Sequence, residues 1–170
     1  MAKEFLLVDG YNIINAWKEL VQLSKFSLES ARLKLMDTLA NYQGFKKNTV
    51  IVVFDAYLVK GNTRKVFKHN DIYVVYTKEA ETADHYIEKV VHSLPKHYNV
   101  RVATSDSFEQ CIILGQGATR ISAAEFEREV KSVKKNIRSI IEKRPIKNNL
   151  LTDNLDPETR EILEKMRRNL

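Results

Sequence analysis

The chain has 170 residues, 44% of them apolar and 29% charged, a composition that excludes a disordered chain and suits one domain able to bury a core. No apolar run approaches the ~20 residues of a membrane span, the opening MAKEFLLVDG is too acidic and its apolar run too brief for a signal peptide, and the single cysteine, Cys111, forms no internal disulfide, so the expectation is a cytoplasmic protein. The formal charge of +6 is concentrated in residues 128–147, which hold eight Lys/Arg and two Glu; residues 1–127 carry a net +1 and residues 148–170 a net −1. Such asymmetry suggests a polyanion partner, the ordinary alternative being a solvated helix face.

In chain order, residues 5–9 read as a buried strand, and NIINAWKELVQL (12–23) as a helix with Asn12 as its N-cap. Ser27 caps a second helix over 27–42, in which Leu28, Ala31, Leu35, Leu39 and Tyr42 share a face. TVIVVFD (49–55) has the continuous apolar character of a strand covered on both faces. Residues 56–70 hold Lys60, Arg64, Lys65, Lys68 and His69 and no acid, and read as a loop or short hairpin before a third strand at 71–77.

ETADHYIEKVVHSL (81–94) is a helix ended by Pro95, NVRVATSD (99–106) a fourth strand, SFEQCIILG a short helix that buries Cys111, and ATRIS (118–122) a short fifth strand. SAAE (122–125) is a capping box opening a long helix to about Lys143. Its stripe of Phe126, Val130, Val133, Ile137 and Ile140 is apolar, and its stripe of Lys131, Lys134, Lys135 and Arg138 is basic. Pro145 breaks it, a linker follows, and Asp156-Pro157 opens a last helix. Strands alternating with helices imply a doubly wound α/β sheet. The expected organisation is one domain over 1–147 and a tail over 148–170 with a short helix.

In open α/β sheets ligands bind beyond the carboxyl ends of the strands. Here those ends carry Asp9, Asp55 and, after Thr104 and Ser105, Asp106, and the helix after the third strand starts with Glu81 and Asp84 on one face. Each acid has a plain explanation: a tight Asp-Gly turn, a helix cap, or a first-turn acid facing the helix dipole. Together they favour a cation, because like charges gathered at one edge repel unless something positive lies between them. Mg²⁺ suits such a site, taking one or two carboxylates, several waters and phosphate oxygens. Zinc fits worse, since His69, His85, His92 and His97 form no cluster. There is no P-loop, no G-x-G-x-x-G and no G-x-S-x-G. An aspartyl phosphatase would need a second aspartate where Tyr11 stands.

VDGYNII (8–14), VFDA (53–56), ETADHYIE (81–88) and ATSD (103–106) resemble, in order, the four motifs of PIN-like NYN-domain nucleases, and more closely the YacP family of NYN proteins, over about residues 4–143 with a similar C-terminal helix and tail. The resemblance implies a three-layer α/β/α sandwich with a mainly parallel sheet of about five strands. It also implies a Mg²⁺- or Mn²⁺-dependent endoribonuclease that cuts mRNA in association with the translating ribosome. By position, Asp9, Asp84 and Asp106 match the metal-binding acids, Asn12 the polar residue beside the first, Glu81 the acid before the helix aspartate, Asp55 a more variable position, and Thr104 and Ser105 the hydroxyl-bearing stretch. The implied chemistry is hydrolysis by a metal-activated water, leaving 5′-phosphate and 3′-hydroxyl ends.

Acids alone repel RNA, so the basic residues must deliver it. Lys60, Arg64, Lys65 and Lys68 in the loop, and Lys131, Lys134, Lys135 and Arg138 on the helix, are the candidate RNA contacts, with ribosomal RNA an equal target for the helix. Tyr11, Tyr57 and Phe67 are candidate stacking rings, with a core role the alternative for each. The rival reading is a non-catalytic RNA- or ribosome-binding module on the same fold.

Overall fold

A computed structural model describes residues 3–56, 65–105, 117–144 and 156–168. Their contacts form two compact units, one through Ile137 and one from Arg138 onward. The first unit contains β1 (Glu4–Asp9), α1 (Gly10–Ala16), α2 (Lys18–Phe26), α3 (Leu28–Lys46), β2 (Thr49–Phe54), β3 (Lys65–His69), β4 (Ile72–Tyr76), α4 (Ala83–Ser93), β5 (Asn99–Ala103), β6 (Thr119–Ile121) and most of α5 (Ala123–Lys143). The second holds the end of α5 and α6 (Pro157–Arg168), where Glu161 pairs with Lys165 and Glu164 with Arg168.

The six strands lie in the order β3-β4-β2-β1-β5-β6, parallel throughout except for β3 against β4. Strand alternation divides the apolar side chains between two cores. Leu6, Val8, Val52 and Phe54 pack on one face with α1, α2, α3 and the first turns of α5, where Phe126 is fully buried. Leu7, Val53, Val75 and Val102 pack on the other with Ile87 and Val91 of α4. Coverage on both faces explains why β1 and β2 are almost wholly apolar. The helices on the two faces make the three layers.

Several local expectations hold. Ser27 accepts from the Ser30 amide at 3.1 Å and caps α3, which runs four residues beyond Tyr42. Ser122 and Glu125 exchange reciprocal bonds of 2.9 and 3.2 Å, completing the capping box of α5. At Asp156 the carboxyl is held below its ordinary range by hydrogen bonds from Thr159, as an N-cap requires.

Others are corrected. The helix expected over 12–23 is two helices, broken at Trp17, whose ψ of 120° is extended. The break turns the indole inward, where its N–H donates to the Ala123 carbonyl at 2.9 Å and the ring tilts against Phe126. The cap of α1 is Asp9, not Asn12, and Gly10 is the first helical residue, so Asp-Gly is not a hairpin turn. The sheet has six strands, not about five: residues 65–76 form a hairpin, turning at Asn70 with φ 52°, a conformation Asn tolerates. Lys65 and Lys68 therefore sit on an edge strand rather than in a loop. Helix α4 starts two residues later than expected, with Thr82 as its cap, so Glu81 precedes it. The short helix expected around Cys111 lies outside the described residues, as do Tyr57, Lys60, Arg64 and Asp106.

Candidate active site

Chain order places β2 on one side of β1 and β5 on the other, so the sheet's winding reverses around β1. The crevice of a doubly wound sheet opens at such a point, beyond the carboxyl ends of the strands. Asp9 is the last residue of β1 and stands there.

Asp9 is 8% exposed. One carboxylate oxygen accepts from the Asn12 amide at 3.3 Å, which caps α1 and aims the group along the rim. Gly10 allows this geometry: a Cβ there would collide with the ring of Phe54, so only glycine lets α1 start this close to β2. Burial raises the Asp9 pKa most; the Asn12 hydrogen bond opposes it, and the charge and side-chain contact of Asp84, then the charge of Asp55, add to it, bringing it to about 7. The carboxylates at the end of β1 and in the first turn of α4 thus meet, and the charge at the exit of β2 bears on them from farther off.

Asp55 follows the end of β2 and is held by a residue that sequence reading passed over. The Thr77 amide donates to the Phe54 carbonyl at 3.1 Å, and its hydroxyl accepts from the Ala56 amide at 3.1 Å. Those two bonds clamp the peptide on either side of Asp55. A threonine closing the expected strand at 71–77 was the signal available in the chain. Asp84 is placed by the Thr82 cap, whose hydroxyl accepts from the His85 amide at 3.3 Å.

Asn12 reaches the other side of the crevice. Its Oδ1 accepts from the Ser105 amide at 2.6 Å and from the Ser105 hydroxyl, tying α1 to the segment after β5. Thr104 is fully buried beside it and its amide donates to the Ile121 carbonyl at 3.2 Å. Glu81 is buried and bonds the Lys89 ammonium at 3.0 Å, two turns along α4.

The donor set is oxygen only, the choice of a hard divalent cation. Among the described residues no three Asp, Glu, His or Cys side chains form a complete metal cage. Two adjoining carboxylates, Asp9 and Asp84, suffice for an ion such as Mg²⁺ that keeps waters and takes phosphate oxygens.

The basic residues divide by position. β6 ends at the rim and α5 runs back from it, so Lys131, Lys134 and Lys135, eight to twelve residues beyond Ala123, lie about 12–18 Å down the helix. All three are exposed, and Lys131 pairs with Glu127 at 3.0 Å. Arg138, also exposed, opens the second unit. On β3, Lys65 stands opposite Tyr76 at the rim, whereas Lys68 is three residues farther back and lies over the Tyr73 ring at 5.1 Å.

Sheet order, rim and flanking helices together define an NYN-type α/β domain. The chain belongs to the YacP-like NYN domain family, which matches residues 6–168. That domain type suggests a nuclease-type, RNA-related module. The chain is 48% identical to YacP of Bacillus subtilis (strain 168) over 141 residues, 82% of each protein. It is also similar to two crystal structures of Rae1 (YacP) from Bacillus subtilis. One has 44% identity and a TM-score of 0.74, covering 96% of this chain and 94% of that one. The other, of a mutant with tryptophan replaced by leucine, has 39% identity and a TM-score of 0.71, covering 95% and 99%.

Proposed function

We propose that the protein is a metal-dependent endoribonuclease that cleaves mRNA in association with the translating ribosome, in the cytoplasm, with Mg²⁺ or Mn²⁺ as its cofactor. The observation carrying this reading is the buried Asp9 carboxyl at the strand exit, in contact with Asp84 and pushed to about 7 by burial and by the charges of Asp84 and Asp55. Perturbed groups of this kind concentrate where chemistry occurs.

Asp9 and Asp84 would hold the ion, with Asp106 as the third acid. The bound ion supplies Lewis acidity, acidifying water and neutralising charge on the phosphate. Asp55 or Glu81 would orient a second ion or the attacking water; Asn12, whose Oδ1 accepts from Ser105, keeps its Nδ2 donors for a non-bridging phosphate oxygen, and the Ser105 hydroxyl oxygen would accept from a metal-bound water. In-line attack by water leaves a 5′-phosphate and a 3′-hydroxyl and does not use the ribose 2′-hydroxyl. Lys131, Lys134, Lys135 and Arg138, set back from the rim or opening the second unit, suit ribosomal RNA, while Lys65 and Lys68, with Lys60 and Arg64, serve the message.

The test is incubation of the full chain with RNA, free and within translating ribosomes, in Mg²⁺, Mn²⁺ or EDTA. Cleavage that requires the cation and falls at least about 10³-fold in Asp9→Asn and Asp84→Asn is expected, the scale of losing a metal-activated nucleophile. Cleavage indifferent to EDTA overturns the mechanism. Binding without cleavage under every condition would leave a docking module instead.

A further inference from the structure

Cleavage at the rim needs the RNA backbone gripped beside Asp9, yet Lys131, Lys134 and Lys135 lie well down α5. Besides Lys65 on the edge strand, a further cation among the described residues stands at the rim. α3 precedes the parallel strand β2 and runs antiparallel to it, so its first turns, which contain Arg32, flank the carboxyl ends of the strands.

Arg32 Nη1 donates to the Tyr11 hydroxyl at 3.1 Å, and Tyr11 is two residues from Asp9. The charge of the same guanidinium also bears on Tyr76, the last residue of β4, opposing the upward push of burial on that hydroxyl; the register partner of Tyr76, Phe54, adjoins Asp55. One phenol oxygen occupies a minority of the five guanidinium donors. Arg32 is half-buried, and among the described residues it pairs with no carboxylate; Glu29, one turn earlier, bears on Tyr76 without ion-pairing Arg32. Arg101 shows what a structural arginine looks like in this protein: it meets Glu129 through two bonds of 3.1 and 2.8 Å. Arg32 is instead oriented by the neutral Tyr11 hydroxyl, which leaves its remaining donors in the fork geometry suited to a bidentate phosphate contact.

An aromatic row leads away from it. Tyr11 and Phe54 lie 5.2 Å apart, Phe54 and Tyr76 stack at 5.5 Å, and Tyr76 and Phe67 stack at 6.0 Å. The row ends on the edge strand, where Phe67 is 41% exposed beside Lys65.

We propose that Arg32, held by Tyr11, is a backbone clamp for the RNA, gripping one phosphate on the α3 side of the carboxylates while Phe67 receives a base at the end of the aromatic row. The assignment rests on the rim being the RNA site. It adds a binding residue and a direction: substrate leaves the crevice toward the β3–β4 hairpin.

Binding of a fluorescent single-stranded RNA to the full chain in EDTA, across a salt series, tests the clamp apart from cleavage. Arg32→Gln is expected to weaken binding about tenfold and to lower the salt slope by about one phosphate's worth, with Arg32→Lys recovering the slope but not the whole affinity. Phe67→Ala is expected to weaken binding with the slope unchanged. Against disturbed folding, RNAs carrying a single methylphosphonate serve as control: one position should weaken the wild type but not Arg32→Gln. Unchanged affinity and slope in Arg32→Gln, or equal sensitivity to every methylphosphonate, overturns the clamp even if the wild type cleaves RNA. Wild-type binding with the Arg32 effects present, but no cleavage of free RNA or of translating ribosomes in Mg²⁺ or Mn²⁺, upholds the clamp and removes the nuclease; no RNA binding by the wild type removes the clamp, while cation-dependent cleavage on ribosomes would still uphold the nuclease.

Discussion

Asp9 concentrates the chemistry of the fold in one side chain. Its carboxyl ordinarily titrates near 3.8 but keeps its proton to about 7 in the folded chain. The folded state therefore binds a proton that the unfolded state has already released. The associated stability is fully present below the unfolded value and is lost as pH rises through about 7. The shift corresponds to about 4 kcal/mol at pH 8 in the absence of a cation. Asp9→Asn removes that burden and keeps an N-cap, since Asn caps as well as Asp. The expected outcome is a variant about 2–4 kcal/mol more stable than the wild type in EDTA at pH 8, equal to it near pH 4, and devoid of cleavage. Denaturant melts at the two pH values check this. Saturating Mg²⁺ should narrow the gap at pH 8, because a cation between the carboxylates favours the charged form of Asp9.

At the scale of elements, the crevice depends on how closely α1 approaches β2. Gly10→Ala places a methyl against the Phe54 ring, so α1 or the ring must move. A cost of about 1–3 kcal/mol is expected, typical of overpacking, and a thermal melt reads it. Because Asp9 caps the same helix, the variant should also lose cleavage beyond its loss of stability, measurable as a fall in kcat at a temperature where the fold is intact. The two-helix arrangement around Trp17 shows the same dependence: a sequence with unbroken helical character is bent because its indole is more favourably buried against Phe126 and the Ala123 carbonyl than exposed. On the edge of the sheet, the charged and exposed β3 discourages pairing with another chain.

At the scale of the molecule, stability and chemistry occupy different parts of the sheet. Arg101 on β5 and Glu129 on α5 form a bidentate pair, joined by the Tyr42 hydroxyl at 2.5 Å and Lys46 at 3.7 Å, away from the carboxyl rim. The Arg101 hydrogen bonds, first among the causes, hold the Glu129 carboxyl down to about 2. A lowered carboxylate pKa gives stability that is present above 4.5 and disappears as pH falls toward about 2. Glu129→Gln is expected to cost about 2 kcal/mol at pH 7, to flatten the acid limb of the stability curve, and to leave kcat unchanged. Loss of cleavage in that variant at a temperature where it is folded would show that this network reaches the rim.

Much of this was legible from the chain alone. The parallel α/β class follows from apolar runs at FLLV and TVIVVF separated by helical periods, and the caps at Ser27, Ser122 and Asp156 follow from local hydrogen-bond chemistry that needs no distant partner. The positions of Asp9 and Asp55 at strand ends are equally local, because an apolar run that stops at a carboxylate fixes where the strand must leave the core. What the sequence could not decide depends on partners far along the chain. The break at Trp17 requires Ala123 and Phe126, the clamp on Asp55 requires Thr77, and the tyrosine that positions Arg32 comes from α1. The meeting of Asp9 with Asp84 is likewise a property of the packed sheet, since the burial of Asp9 and its repulsion by Asp84 exist only once the fold brings them to one rim.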